Sequence, residues 1–318
     1  MSPLVSVVIP LYNKEQYISK TIDSVLTQTL QDFELIIVND GSTDQSLKIV
    51  ESYSDSRIRI ISQTNHGLSA TRNRGIKEAR TELLAFLDAD DLWYPTFLEK
   101  ILQLYSLYPD SGLYGTAYSV YDGEKWIHDI IQYPNLGERI FKSYFGEWAE
   151  ARHPIIIASG FAAKKSALMR VGCYREDQRA GQDHELFGRI ALYYTIAYSP
   201  SVCVRYNAGT ANNGDVVRYI IEVPLVQYLK AHEIDEKTYI SNPVDLNDYL
   251  NQWKIRIGGR NIYSGFRSVG RQQILSVTKN KNKLFFGVFL FMSFIPIPYA
   301  KISPKVVRSV LRIFHIVI

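Results

Sequence analysis

Three aspartates fall within four residues in Asp88-Ala89-Asp90-Asp91, and a fourth, Asp40, follows the apolar run Leu35 to Val38. Two unit charges about 4 Å apart repel by about 4 kcal/mol at an effective dielectric near 20, so such a cluster calls for a cation. All-oxygen ligation by a few carboxylates suits Mg²⁺ or Mn²⁺ bridged to substrate phosphates, whereas zinc would take His or Cys. A single aspartate here would serve as the cap of a helix opening near Pro95, the role that falls to Asp91.

Other phosphate and hydrolytic devices are missing. The chain has no Gly-x-x-x-x-Gly-Lys loop and no Gly-x-Gly-x-x-Gly turn after its first apolar run. A P-loop nucleotidase or a dinucleotide-dependent dehydrogenase is therefore unsupported. Gly-x-Ser-x-Gly and His-Glu-x-x-His are missing too, which removes the hydrolases built on them. The two cysteines, Cys173 and Cys203, stand thirty residues apart, so neither a disulfide framework nor a zinc knuckle is expected and a reducing cytosol fits.

The elements that must position these acids are legible from periodicity. Val5 to Ile9 and Leu35 to Val38 are short apolar runs of the kind covered on both faces of a sheet, and Ile58 to Ile61, Leu83 to Leu87 and Leu113 to Tyr121 read as further strands. Helical spacing falls between them: Tyr17 to Leu26, Asp44 to Tyr53 with Ser42 and Thr43 as caps, Leu68 to Ala79, and a helix from Pro95 to about Tyr108. Alternation of this kind predicts an α/β fold with a doubly wound, mostly parallel sheet. Ligands of such sheets bind beyond the carboxyl ends of the strands, where Asp40, Asp88 and Asp90 fall.

With 318 residues the chain holds one large domain and an appendage. Charge separates the two. Residues 251–318 carry 12 of the 36 Lys plus Arg and none of the 32 Asp plus Glu, leaving 24 basic and 32 acidic residues in 1–250. Residues 284–300 form an uncharged apolar stretch of 17 residues, preceded by Lys279, Lys281 and Lys283 and followed by Lys301 and Lys305. As a helix it would reach roughly 25 Å against a hydrocarbon core of about 30 Å, and Pro296 and Pro298 interrupt it. Residues 305–318 place Val306, Val310, Leu311, Phe314 and Ile318 near one helical face. Apolar surface flanked by cations points to an anionic membrane surface rather than nucleic acid, with peripheral or monotopic attachment. The first apolar run has no basic residue before it, unlike a secretory signal, which places the expected attachment on the cytoplasmic face. The expected domains are 1–230 and a helical, basic, membrane-associating region 231–318.

Several ordered motifs carry a family resemblance: Val7-Val8-Ile9-Pro10-Leu11-Tyr12-Asn13, Val38-Asn39-Asp40-Gly41-Ser42-Thr43-Asp44, Asn65-His66-Gly67-Leu68-Ser69-Ala70-Thr71-Arg72-Asn73-Arg74-Gly75, Phe86-Leu87-Asp88-Ala89-Asp90-Asp91, and Gly181-Gln182-Asp183. Together they resemble the inverting glycosyltransferases of family 2, which have the GT-A fold. The resemblance implies a metal-dependent, hexosyltransferase-type enzyme that takes a nucleotide-diphosphate sugar, most often a UDP-sugar. It implies that Pro10 and Tyr12 line the base pocket, that Asp40 accepts a hydrogen bond from the base, and that Arg72 stands near the base or phosphates, with Arg74 and Arg80 as rivals. Asp88 would hold the ribose or approach the metal, Asp90 would be the direct ligand of Mn²⁺ or Mg²⁺, and Asp183 would be the catalytic base. The usual acidic pair before the base is Gln182-Asp183 here, and Glu185 lies two residues on.

The acceptor read from the tail is a lipid-linked or surface polysaccharide of the cell envelope. Three alternatives stay open: a polyprenyl-phosphate glycosyltransferase, whose acceptor needs no base; a non-catalytic, membrane-docked nucleotide-binding partner; and a sugar nucleotidyltransferase, for which the Gly-rich loop is lacking. Trp93, Trp126 and Trp148 offer sugar-stacking surfaces that the sequence leaves unassigned.

Overall fold

The structure is a computed structural model that describes residues 3–122, 125–132, 134–151, 153–178, 181–210, 225, 228, 229, 243–263 and 267–277. The chain divides into two compact units, Met1–Phe141 with Ile155–Asn212, and Lys142–Pro154 with Asn213–Ile318.

In the first unit the elements run β1 (Val5–Leu11), α1 (Ile18–Leu26), β2 (Phe33–Asp40), α2 (Ser46–Glu51), β3 (Ile58–Gln63), α3 (Leu68–Glu78), β4 (Leu83–Phe86), β5 (Leu92–Trp93), α4 (Phe97–Leu107), β6 (Leu113–Asp122), β7 (Lys125–Ile130) and β8 (Arg139–Ile140). After an excursion into the second unit come β9 (Phe161–Lys164), α6 (Lys165–Arg170), α7 (Gln182–Tyr193) and β10 (Ile196–Asn207). Among the described residues all ten strands join one sheet, ordered β3-β2-β1-β4-β9-β6-β10-β5, with β7 beside β6 and β8 beside β10.

The expected parallel half is present: β3, β2, β1 and β4 run parallel. Every residue of β1 and β2 is buried, which is why these runs carry no polar alternation. The other half is mixed. β9 runs antiparallel between β4 and β6, and β6 and β10 are parallel to each other. Since β9 reverses twice over, β6 and β10 point the same way as β4, and the carboxyl ends of β1, β2, β3, β4, β6 and β10 share one edge.

Two local expectations are corrected. The second helix begins at Ser46, not Asp44, and neither Ser42 nor Thr43 caps it. Both serve the β1 loop instead: Asn13 N donates to Ser42 Oγ at 3.2 Å, and Thr43 N donates to Asn13 Oδ1 at 2.8 Å. Asp44 Oδ1 takes the Ser46 N–H at 2.9 Å. The fourth helix begins at Phe97, with Pro95 two residues ahead, and Asp91 does not cap it.

In the second unit, α5 (Tyr144–Glu150), which lies inside the stretch read from sequence as the first domain, packs on α8 (Pro243–Tyr263), and α8 packs on α9 (Arg267–Leu275). Trp148 stacks on Trp253 with ring centroids 5.2 Å apart and meets Tyr249 edge-on at 4.8 Å. The apolar segment 284–300 and the amphipathic segment 305–318 lie outside the described residues. Among the described residues no helix is long and apolar enough to cross a membrane.

A close helix-to-strand approach that bears on the site is α3 on β1. A Cβ on Gly75 would lie 2.2 Å from Val8 Cγ1, and Val8 is a β-branched residue held between two strands. Gly75→Ala should therefore push α3 away from the sheet and cost about 1–3 kcal/mol in a urea unfolding experiment. A variant as stable as the parent would contradict this packing.

Candidate active site

Asp88, Ala89, Asp90 and Asp91 form a turn closed by Asp91 N donating to Asp88 O at 3.1 Å. The turn fans the three carboxylates in three directions. Asp88 Oδ1 accepts from Arg72 Nη2 at 2.6 Å. Asp90 Oδ2 pairs with Lys14 Nζ at 2.7 Å. Asp91 is buried, with Oδ2 bonded by Ser159 Oγ at 2.5 Å and Oδ1 by Asn207 N at 2.8 Å. Burial pushes the Asp91 carboxyl well above the usual carboxylate range, and the neighbouring charges of Asp90 and Asp88 push it further. The charge that the spacing demanded is thus supplied by the chain's own Lys14 and Arg72.

Among the described residues no three His, Cys, Asp or Glu side chains converge to hold a metal ion. Asp91, expected as a helix cap, is instead engaged by Ser159 and Asn207, which leaves Asp88 and Asp90 as the candidate ligands. Asp88 and Asp90 are partly exposed and each is engaged through one oxygen. Two such carboxylates fit an ion bound chiefly by substrate phosphates and water, the habit of Mg²⁺.

Arg72 is the centre of the arrangement. It lies on α3, only 1% exposed, and bridges two acids 95 residues apart in the chain: Nη2 to Asp88, and Nη1 to Asp183 Oδ1 at 2.9 Å. Its guanidinium carbon lies 5.2 Å from the centroid of the Tyr174 ring. Burial works against its charge, but Asp183 and Asp88 overcome that and raise its pKa. The rivals are surface residues: Arg74 pairs with Glu78 within its own helix, and Arg80 is 65% exposed, 3.9 Å from Glu34.

Asp183 sits in the first turn of α7, after Gly181 in the left-handed conformation, φ +70°. A carboxylate there is favoured by the helix dipole. Oδ1 receives both Arg72 Nη1 and the Tyr174 hydroxyl, the latter at 3.1 Å. No other side chain among the described residues bonds Oδ2. Burial is the largest influence and lifts the Asp183 pKa above its ordinary value, Arg72 opposing it and Asp88 reinforcing it. Glu185 is excluded as a rival base: it is buried and pairs with Arg189 at 2.6 Å.

Asp40 ends β2 with 3% exposure. Its Oδ1 accepts from His66 N at 2.9 Å and Gln63 Nε2 at 2.8 Å, and its Oδ2 accepts from Gly67 N at 2.9 Å. Gly67 precedes α3, so Asp40 satisfies the start of the helix that carries Arg72. The turn after Asp40 is stabilised by Asn39, whose Oδ1 accepts from Ser42 N at 3.1 Å. Pro10 is buried within β1 opposite Val38, while Tyr12, one residue past the strand, is 47% exposed with its ring available to a flat ligand. Of the tryptophans, Trp93 and Trp148 are core, and Trp126 is 54% exposed on β7.

Sequence reasoning missed Lys14, Ser159, Asn73 and Tyr174. Lys14 adjoins Asn13 and Asn73 adjoins Arg72, so motif adjacency was a usable signal for those two. Ser159 and Tyr174 reach the site only through tertiary packing.

The sequence model of glycosyl transferase family 2 matches residues 6–172, more than half of the chain, and the chain belongs to that family. It is 54% identical over 105 residues to a Bacillus subtilis (strain 168) protein named uncharacterized glycosyltransferase EpsJ, a match covering 32% of this chain and 30% of that one. It is 34% identical over 139 residues to glycosyltransferase GlyA of Streptococcus pneumoniae serotype 4, covering 43% of this chain and 20% of that one. The matches thus span less than a third of either relative. Residues 1–349 of Staphylococcus aureus TarS in complex with UDP-GlcNAc share the fold with a TM-score of 0.63 at 18% identity, over 91% of this chain and 88% of that one. The α/β fold is of the GT-A type expected.

Arg72→Met would leave the partly exposed Asp88 and Asp183 facing each other without their shared cation. Loss of the cation from a pair whose acids are partly exposed costs about 1–3 kcal/mol, below the figure for a fully buried pair. Calorimetry of the variant should show that loss at neutral pH. The deficit should shrink in acid, because Asp183 takes up its proton at a higher pH once its cation is gone. A loss independent of pH would rule out this charge balance.

Proposed function

We propose that the chain transfers a sugar from a nucleotide-diphosphate sugar to a hydroxyl of a lipid-linked or surface saccharide, inverting the anomeric carbon. The observation that carries this reading is the bridge from Asp88 through Arg72 to Asp183, which joins the donor-side acid turn to the candidate base. UDP is the favoured nucleotide, because TarS, whose fold this chain shares, has been crystallised with UDP-GlcNAc and with UDP.

In this reading the Tyr12 ring stacks on the base beside Pro10, and Asp40, whose Oδ2 keeps one lone pair, accepts from the ring of the base. Asp88 and Asp90 would hold Mg²⁺ or Mn²⁺ against the donor's diphosphate. A divalent ion bound there would neutralise the charge growing on the departing diphosphate. Arg72 keeps Asp88 and Asp183 in place and contributes positive potential on the protein side. Asp183 accepts the proton of the acceptor hydroxyl through Oδ2 as the oxygen forms its bond to the anomeric carbon and the diphosphate oxygen leaves. One displacement from the face opposite the leaving group gives inversion.

A panel of nucleotide sugars, tested on the full chain with and without chelator, identifies the donor and the metal requirement. Asp183→Asn should lower transfer by about 10²- to 10⁴-fold while nucleotide binding stays. Transfer surviving in that variant would instead fit an acceptor already ionised, such as a polyprenyl phosphate. The base must be ionised, so the rate should rise with pH through the Asp183 pKa, on an acid limb lying above the ordinary aspartate range.

For location, we infer attachment to the cytoplasmic membrane face through residues 231–318, on the basis of their charge and the apolar stretch 284–300. The full chain should float with vesicles containing anionic lipid and much less with zwitterionic ones, and salt should weaken the association. Equal behaviour with both kinds of vesicle would count against it.

A further inference from the structure

Tyr174 lies on no strand or helix, yet it is 2% exposed and has contacts to both helices that supply the site. On the α3 side, Asn73 clamps its main chain from both directions: Nδ2 donates to Tyr174 O at 2.9 Å, and Oδ1 accepts from Tyr174 N at 2.9 Å. Asn73 is the residue after Arg72, so the clamp and the guanidinium move together. On the α7 side, the phenol donates to Asp183 Oδ1. The ring also meets Phe86, the last residue of β4 and two before Asp88, edge-on at 6.0 Å.

The turn that delivers Tyr174 is itself held from α7. Gly172 and Cys173 both have left-handed backbones, φ +82° and +55°. Such a conformation at a non-glycine residue costs about 1 kcal/mol or more and persists only when its surroundings impose it. Here Arg189 imposes it, donating to the carbonyls of Val171 and Cys173, the latter at 2.7 Å. Arg189 is in turn fixed by Glu185, one turn before it and two residues after Asp183. The frame is closed: α7 holds the turn through Glu185 and Arg189, the turn presents Tyr174, and Tyr174 returns to α7 at Asp183.

We propose that Tyr174 is the positioning residue for Asp183, fixing its carboxylate through Oδ1 so that Oδ2 faces the acceptor, and favouring its ionised form. This rests on the reading of Asp183 as the base. Placing both donors on one oxygen sets the rotation of the carboxylate, which a lone ion pair to Arg72 would leave free about the Cβ–Cγ bond. A hydrogen bond to the charged form also lowers the pH at which the group becomes competent.

The test is Tyr174→Phe in the full chain, which deletes the hydroxyl and keeps the ring over Arg72. The Asp183 carboxyl, followed by ¹³C NMR and assigned with Asp183→Asn, should titrate about one pH unit higher than in the parent. The acid limb of kcat should move by the same amount, so that kcat falls about tenfold below the midpoint and recovers at higher pH, with KM for the donor unchanged. A merely structural tyrosine would lower activity equally at every pH. An unmoved Asp183 titration would overturn the proposal. A moved titration with Asp183→Asn still fully active would show that Tyr174 holds the carboxylate but would defeat the base assignment, and with it the positioning role proposed here. If the phenylalanine variant does not fold, Asn73→Ala releases the same turn while keeping the phenol, and it should shift the titration in the same direction; no shift there would overturn the proposal as well.

Discussion

A guanidinium taken fully out of water sets the terms for this molecule. Burying an isolated charge costs several kcal/mol, and the cost is met only if carboxylates arrive with good geometry. Arg72 obtains Asp88 from the end of β4 and Asp183 from the start of α7, and a Tyr174 ring alongside. Each supplier must then be held. The α3 helix is pressed onto β1 at Gly75 and capped from β2 by Asp40, while α7 starts from a left-handed glycine that turns Asp183 inward. The interaction at the centre therefore explains constraints at positions well away from it.

The acid turn shows how the chain's own cations and hydrogen-bond donors separate like charges. Three carboxylates in four residues would repel strongly if they shared one direction. Fanned apart, Asp88 meets Arg72, Asp90 meets Lys14, and Asp91 is buried and accepts hydrogen bonds from Ser159 and Asn207. A divalent ion bound by Asp88 and Asp90 would have to share them with cations already present, which favours an ion that brings the donor's negative diphosphate with it.

Much of the parallel half of the sheet was legible before any coordinates. Runs such as Val5 to Ile9 and Leu35 to Val38 are mostly apolar because both faces are covered, the pattern of strands in a parallel sheet with helices on its faces. The antiparallel β9 was not legible: Phe161 to Lys164 is four residues long and carries no period that separates it from a loop. Nor was the joining of α5 to α8, because aromatic residues a hundred positions apart carry no local mark of their contact. The helix starts at Ser46 and Phe97 each lie two residues beyond the expected positions for a related reason. Ser42 and Thr43 have the chemistry of caps, and only the presence of Asn13 beside them shows that they are engaged elsewhere.

The sequence by itself determined which side chains are available and which edge of the sheet they occupy, since strand ends and motif order are local properties of the chain. Asp40, Asp88 and Asp90 stand out from their places after apolar runs, while Pro10, Tyr12, Arg72 and Asp183 come from the family resemblance that the ordered motifs carry. Tertiary structure decided how they divide the work. Whether an aspartate is a ligand, a cap or a buried acid depends on which donors reach its two oxygens, and those donors come from residues up to 116 positions away. Hydrogen bonding acts over about 3 Å and is blind to separation along the chain, so no spacing in the sequence could assign those roles.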